Sequence, residues 1–341
     1  MLVAPKEPCA DFSTENDLQV GAELGAFRLT ELVGRGSMAS IFRAEHRSYG
    51  HQVALKVLHH EFCSKGDAVR RFTREIQVVQ RARHPGVLEI TDLVLGEEQP
   101  PFLVMELLPG EDLAACMARR GPLPPAMAVS IAVQVADALV AMHDRSVVHR
   151  DLKPANIFLV GGGGDDAPIV KVLDFGLAKF LYEEDPFLRT RTGCAIGTPD
   201  YMPPEQIRGD KVDHRIDIYA TAAILFEMIA GRPPFHGGNV FDLVQKALSE
   251  PPPPPRSLLS PEQAALVPEL LEQVILRCLS KSPEHRLQTA QELKDYLEAS
   301  LIPGSDKALP RLPGTKSLRW PWVGGGLALA AVGAVIWLFT H

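Results

Sequence analysis

The run "HRDLKPAN", His149 to Asn156, decides how this chain of 341 residues is read. It supplies a carboxylate (Asp151), a flexible cation (Lys153) and a neutral oxygen ligand (Asn156), and Pro154 fixes the loop between them. Phosphoryl transfer needs such parts: a group that orients a hydroxyl and takes its proton, a positive charge for the moving phosphoryl group, and one arm of a Mg2+ shell. Downstream, "DFG" at Asp174, Phe175 and Gly176 closes a β-like run. A hard cation takes oxygen ligands, and Asp174 with Asn156 on adjacent strand ends would supply two of them.

Upstream, "VALK" alternates, with Val53 and Leu55 on one side and Ala54 and Lys56 on the other. An inward lysine is costly unless it meets an anion, such as a nucleotide phosphate or a carboxylate. Glu75, inside the amphipathic stretch 67–83, is a candidate partner, although alone it reads as a solvated helix glutamate. Further back, "LVGRGSMASIFRA" (Leu32 to Ala44) carries Gly34 and Gly36, with Ala39 where a G-x-G-x-x-G spacing has its third glycine. By itself this fits a tight turn between strands as well as a phosphate loop.

Short β-like runs fill Phe27 to Leu107, and helical patterns dominate from Ala126 onward, so a small β-rich lobe followed by a larger helical one is expected. The runs "NIFLV" and "IVKVLDF" read as a hairpin, and the prolines at 251–255 as a stiff connection between helices. With 35 Lys plus Arg against 42 Asp plus Glu, the net charge of −7 argues against nucleic acid as a partner. Five scattered cysteines without C-x-x-C spacing indicate neither a disulfide framework nor a zinc site. The N-terminus has no secretory signal pattern and reads as a loose tail.

Taken in register, the Gly-rich loop, "VALK", "HRDLKPAN", "DFG" and "PPE" (Pro203 to Glu205) resemble the eukaryotic-like (Hanks-type) serine/threonine protein kinases, bacterial branch, over roughly Phe27 to Ser300. The resemblance implies an α+β, bilobal protein-kinase-like fold with ATP between the lobes: an N-terminal tail over 1–25, an N-lobe over 26–107 and a C-lobe over 108–300. It implies that Leu32, Val33, Gly34, Arg35, Gly36 and Ser37 form the lid over ATP, that Ile41 and Ala54 pack on the adenine, and that Phe158 also belongs to the ATP site. Lys56 would hold the α and β phosphates and pair with Glu75. Met105 would be the gatekeeper, the backbone of Glu106 and Leu108 would bond the adenine edge, and Asp112 would meet the ribose. Asp151 would be the catalytic base, Lys153 the γ-phosphate contact, and Asn156 with Asp174 the ligands of Mg2+, or of Mn2+. Glu205 would pair with Arg286, Asp217 would brace the catalytic loop, and Val79, His149 and Phe175 would belong to a hydrophobic spine.

Lys153 and Thr198 resemble the Ser/Thr branch, so protein Ser/Thr hydroxyls are the expected acceptors. Thr190 and Thr192 sit where bacterial relatives autophosphorylate, with Arg150 as the cation for the added charge. A pseudokinase would lack Lys56, Asp151, Asn156 or Asp174, and all four are present. A small-molecule kinase would not need "GTPDYMPPE", which resembles a docking platform for protein substrates. Last, Trp322 to Phe339 is an uncharged run of 18 residues, about 27 Å as a helix, which predicts a transmembrane helix within 320–340. The linker 301–319 carries Lys307, Arg311, Lys316 and Arg319, which places the kinase on the cytoplasmic side of a tail-anchored chain. Two residues follow the run, so no domain is expected beyond it. Gly326, Ala330 and Ala334 form a small-residue stripe suited to a homodimer.

Overall fold

The computed structural model describes residues 18–36, 39–59, 76, 82–95, 99–161, 168–173 and 199–302. Ser37, Glu75, Val79, Asp174, Phe175, Thr190, Thr192, Thr198 and the whole of 303–341 lie outside the described residues.

Six antiparallel strands build the smaller lobe: β1 (Glu23–Leu24), β2 (Phe27–Arg35), β3 (Ala39–His46), β4 (Gln52–Leu58), β5 (Ile90–Val94) and β6 (Phe102–Met105), in the order β1-β2-β3-β4-β6-β5. The alternation along β4 gives the sheet two apolar faces. Val53, Leu55 and Val57 pack with Phe27, Leu29, Phe42 and Phe102 on one side. Ala54 packs with Ile76, Leu88, Leu103 and Met105 on the other. Leu24 is buried and β1 pairs with β2, so the ordered sheet begins inside the segment 1–25 that sequence assigns to a loose tail. A two-residue strand is too short to leave a period.

A second sheet, β7 (Gly110–Asp112), β8 (Ile157–Val160) and β9 (Ile169–Val172), carries the junction with the larger lobe. The expected hairpin is β8 paired with β9. Gly110 has φ +146, and a Cβ there would fall 2.0 Å from the Leu159 carbonyl oxygen, so only glycine lets β7 approach β8.

The larger lobe comprises α1 (Leu113–Arg120), α2 (Pro125–His143), α3 (Pro204–Arg208), α4 (Arg215–Ala230), α5 (Val240–Ser249), α6 (Pro261–Ala265), α7 (Glu269–Cys278) and α8 (Ala290–Ser300). α4 lies at its centre, in contact with α2, α7 and α8. All of it is buried except Arg215, Glu227 and Ala230, the pattern of a helix that is enclosed on every side. α2 is long and apolar enough to cross a membrane, but half of it is buried against α4, α8 and β9, which its composition serves. The prolines at 251–254 connect α5 to a short 3-10 turn, Pro255–Leu258, as a stiff linker does. Side-chain caps start α1 (Asp112), α5 (Asn239), α6 (Ser260) and α8 (Thr289).

Candidate active site

The loop between α2 and β8 is held from below by one carboxylate. Asp217, in the first turn of α4 and 1% exposed, accepts from the Arg150 N–H through Oδ1 (3.0 Å), and through Oδ2 from the His149 N–H (2.9 Å) and His143 Nε2 (2.9 Å). Burial alone would push its pKa up, but the hydrogen bond and charge of His143, with the His149 contacts, hold it below the usual carboxylate range. Arg150 sits at φ +65, a left-handed conformation that costs a non-glycine residue about 1–3 kcal/mol. The bond from its N–H to Asp217, with that from Gln206 Nε2 to its carbonyl (3.0 Å), holds it there.

His149 is fully buried. Its Nδ1 accepts from the Asp151 N–H (3.3 Å) and its Nε2 faces the Leu173 carbonyl (2.8 Å). A carbonyl only accepts, so the proton is assigned to Nε2. The ring thereby ties the loop to the end of β9.

On this base the chemistry-bearing side chains converge. Lys153 Nζ donates to Asp151 Oδ2 at 3.0 Å. Asn156 Nδ2 donates to the Asp151 carbonyl at 2.8 Å and lies 3.5 Å from Oδ2. With its nitrogen turned to those acceptors, Asn156 keeps Oδ1 as the atom a hard cation would use. Asp174, the other expected metal ligand, and Glu75, the expected partner of Lys56, lie outside the described residues.

Above the loop, strand register aligns the expected nucleotide contacts. Gly34 pairs with Ile41, Ile41 with Lys56, and Ala54 with Met105. Gly36 N–H closes the β2–β3 turn on the Ala39 carbonyl (2.9 Å). A Cβ on Gly34 would meet no atom of the described residues within 4 Å, so their packing does not require glycine there. The open space leaves room for a close approach from outside, as a phosphate under the strand would need. Leu32, Val33 and Arg35 are exposed, as suits a lid. Met105 is buried between Ala54 and Leu88, and Leu108 packs beside it. The Glu106 N–H is bonded to the Glu89 carbonyl (3.1 Å). Phe158 pairs with Asp112 across β7 and β8. Asp112 also caps α1, its Oδ1 accepting from the Ala115 N–H (2.8 Å), a duty the sequence reading missed.

The platform beside the loop rests on an ion pair. Arg286, 1% exposed, grips Glu205 with both terminal nitrogens (2.6 and 2.7 Å) and donates Nε to the Ser280 carbonyl (2.9 Å), so the buried charge is satisfied. Nearby, the Tyr201 hydroxyl donates to Glu227 Oε2 (2.6 Å), and burial pushes the Glu227 and Asp200 carboxyls up. Sequence reasoning singled out neither His143 nor Gln206 nor this Tyr201–Glu227 pair. His143 stands six residues before His149 on a helix face, and nothing in its spacing separates it from a surface histidine.

The protein kinase domain family matches residues 27–297. Serine/threonine-protein kinase Pkn1 of Myxococcus xanthus is 42% identical over 294 residues, covering 86% of this chain and 41% of that protein. PkaA of Streptomyces coelicolor is 39% identical over 271 residues, covering 76% of this chain and 47% of its own length. The chain thus spans about half the length, or less, of these curated relatives. Among solved structures, the PknI kinase domain of Mycobacterium tuberculosis superposes with a TM-score of 0.62 at 27% identity, covering 83% of this chain and all of that one. With the loop geometry, this match makes the chain a member of the protein kinase family, on its bacterial, eukaryotic-like serine/threonine branch.

Proposed function

We propose that this protein transfers the γ-phosphoryl group of ATP to Ser or Thr hydroxyls of proteins. The observation that carries the reading is the cluster of Asp151, Lys153 and Asn156 on a loop that Asp217 and His149 hold in place. Asp151 orients the acceptor hydroxyl and takes its proton as the oxygen attacks. Lys153, now 3.0 Å from Asp151, is placed to follow the charge that develops on the transferred group. Lys56 binds the inner phosphates, the backbone of Glu106 and Leu108 bonds the adenine edge, and Ile41, Ala54 and Phe158 sandwich the base. Asn156 and Asp174 would hold Mg2+, which would supply charge neutralisation when bound; Mn2+ has the same oxygen preference.

The proposal extends to regulation and location. Thr190 or Thr192 is autophosphorylated, and the added charge of roughly −1.5 to −2 pairs with Arg150 to order the loop between "DFG" and "PPE". Residues 320–340 span the membrane with the kinase on the cytoplasmic side, and their small-residue stripe pairs two copies. The uncharged run and the basic linker before it support that reading.

One experiment tests the core of it. The full chain is incubated with ATP and Mg2+, phosphosites are mapped, and Asp151→Asn serves as control. Phosphate on Ser or Thr is expected with the wild type and a loss of about 10²–10⁴-fold with the variant. No transfer by the wild type sinks the kinase reading, and unmodified Thr190 and Thr192 in active enzyme sink the autophosphorylation. Recovery of the chain from the soluble fraction of cells would remove the anchor.

A further inference from the structure

Glu106 directly follows β6 (Phe102–Met105), where the chain leaves the smaller lobe. Its carboxylate accepts from the Glu89 N–H (2.8 Å) and from the Lys171 ammonium (2.6 Å), while its N–H donates to the Glu89 carbonyl (3.1 Å). Lys171 stands on β9, 65 residues further along the chain. Both side chains are largely withdrawn from water, 16% exposed for Lys171 and 26% for Glu106, so the pair is less screened than a surface ion pair.

What gives the pair reach is the position of β9. The Val172 N–H donates to the Gly86 carbonyl (2.8 Å), and Val172 accepts from the Leu88 N–H (3.0 Å). One residue on, the Leu173 N–H donates to the Asn156 carbonyl (2.8 Å), and the Leu173 carbonyl accepts from His149 Nε2 (2.8 Å). The end of β9 is therefore bonded to the catalytic loop at two residues and runs straight into Asp174 in sequence. Beside the pair opens a cleft of about 330 Å³, walled by Arg83, His84, Leu88, Ile90 and Lys171. Leu107, Leu108 and Leu173 pack on the same apolar cluster as Leu88 and Met105, and beside that packing the ion pair is a direct polar tie between the inter-lobe segment and β9.

We propose that Glu106 and Lys171 are a positioning pair that couples adenine binding at the inter-lobe segment to the placement of the catalytic loop and its metal-binding end. Neither side chain touches the nucleotide. The pair acts through backbone: the Glu106 main chain on the adenine side, and the Leu173 main chain on the His149 and Asn156 side. The inference rests on the kinase reading above.

The test uses the full chain as wild type, Lys171→Met and Lys171→Arg. Binding of adenosine, of ADP, and of ADP with Mg2+ is measured by calorimetry, and phosphoryl transfer gives kcat and KM for ATP. Lys171→Met is expected to bind adenosine within about twofold of wild type. The factor by which Mg2+ tightens ADP falls about five- to tenfold, the lower range of inter-site coupling, and kcat falls by a similar factor with KM for ATP little changed. Lys171→Arg, which keeps the charge, restores most of both. A Lys171→Met protein that melts normally and keeps the wild-type Mg2+ effect and kcat overturns the proposal, as does an Arg variant no better than Met. A wild type that binds no ADP with Mg2+ instead overturns the kinase reading, and the role of the pair with it.

Discussion

At the scale of single residues, two buried charges set the terms. Asp217 accepts from three donors at once, so Asp217→Ala leaves the His149 and Arg150 N–H groups without that acceptor, at about 1–3 kcal/mol each. We expect a loss of about 2–6 kcal/mol in denaturant melts, and a fall in kcat as Arg150 relaxes out of its left-handed conformation. The pH dependence has a definite sign. The folded pKa of Asp217 is depressed, so its contribution is complete above the unfolded carboxylate pKa of about 4 and drains away as pH falls below it. Wild type should lose stability between pH 5 and pH 3 more steeply than Asp217→Asn. Arg286 makes a second case. Removing its side chain leaves the Glu205 carboxylate buried without its partner, and Arg286→Ala should cost about 3–5 kcal/mol. Glu205→Gln/Arg286→Met, which removes both charges, should cost less than Arg286→Ala alone; an equal cost in urea melts would show that packing rather than charge dominates.

At the scale of elements, α5 is fastened by a residue outside it. Lys281 directs its ammonium at the Lys246 and Ala247 carbonyls in the last turn of α5 and lies 3.8 Å over the Phe235 ring. Burial pulls its pKa down to about 8, with Glu250 opposing the shift. Between pH 8 and about 10.4 the unfolded chain holds a proton that the folded chain has released, so folding stability gains with rising pH in that window. The thermal midpoint of wild type should climb relative to Lys281→Met as pH moves from 8 to 10; a constant difference would sink the account. Elements also differ in how well sequence announces them. β4 was legible because its alternation serves two apolar faces. α1 was not, because two turns burying only Leu113 and Cys116 give too short a period to detect. α4 is buried on nearly every side, so no single apolar face sets its orientation in advance.

At the scale of the molecule, the catalytic loop could be read because its working groups fall within six residues, and Asp151 meets both Lys153 and Asn156 within hydrogen-bonding distance. The fold class followed from the same motifs in order. What escaped the sequence is what the fold brings together from afar: Glu106 with Lys171, His143 with Asp217, and Gln206 with the Arg150 carbonyl. Each is an ordinary polar residue in its own neighbourhood and acquires a role only through a partner 56 to 74 residues distant.

The anchoring of an irregular loop on α4 also bears on how the molecule breathes. The His149 and Arg150 amides donate to a carboxylate on the most enclosed helix of the larger lobe, so they cannot open without disturbing that helix. In native-state hydrogen exchange these two loop amides should be as slow as those in the middle of α4. The chemistry would then sit on a loop only in name, with the protection factors of the core beneath it.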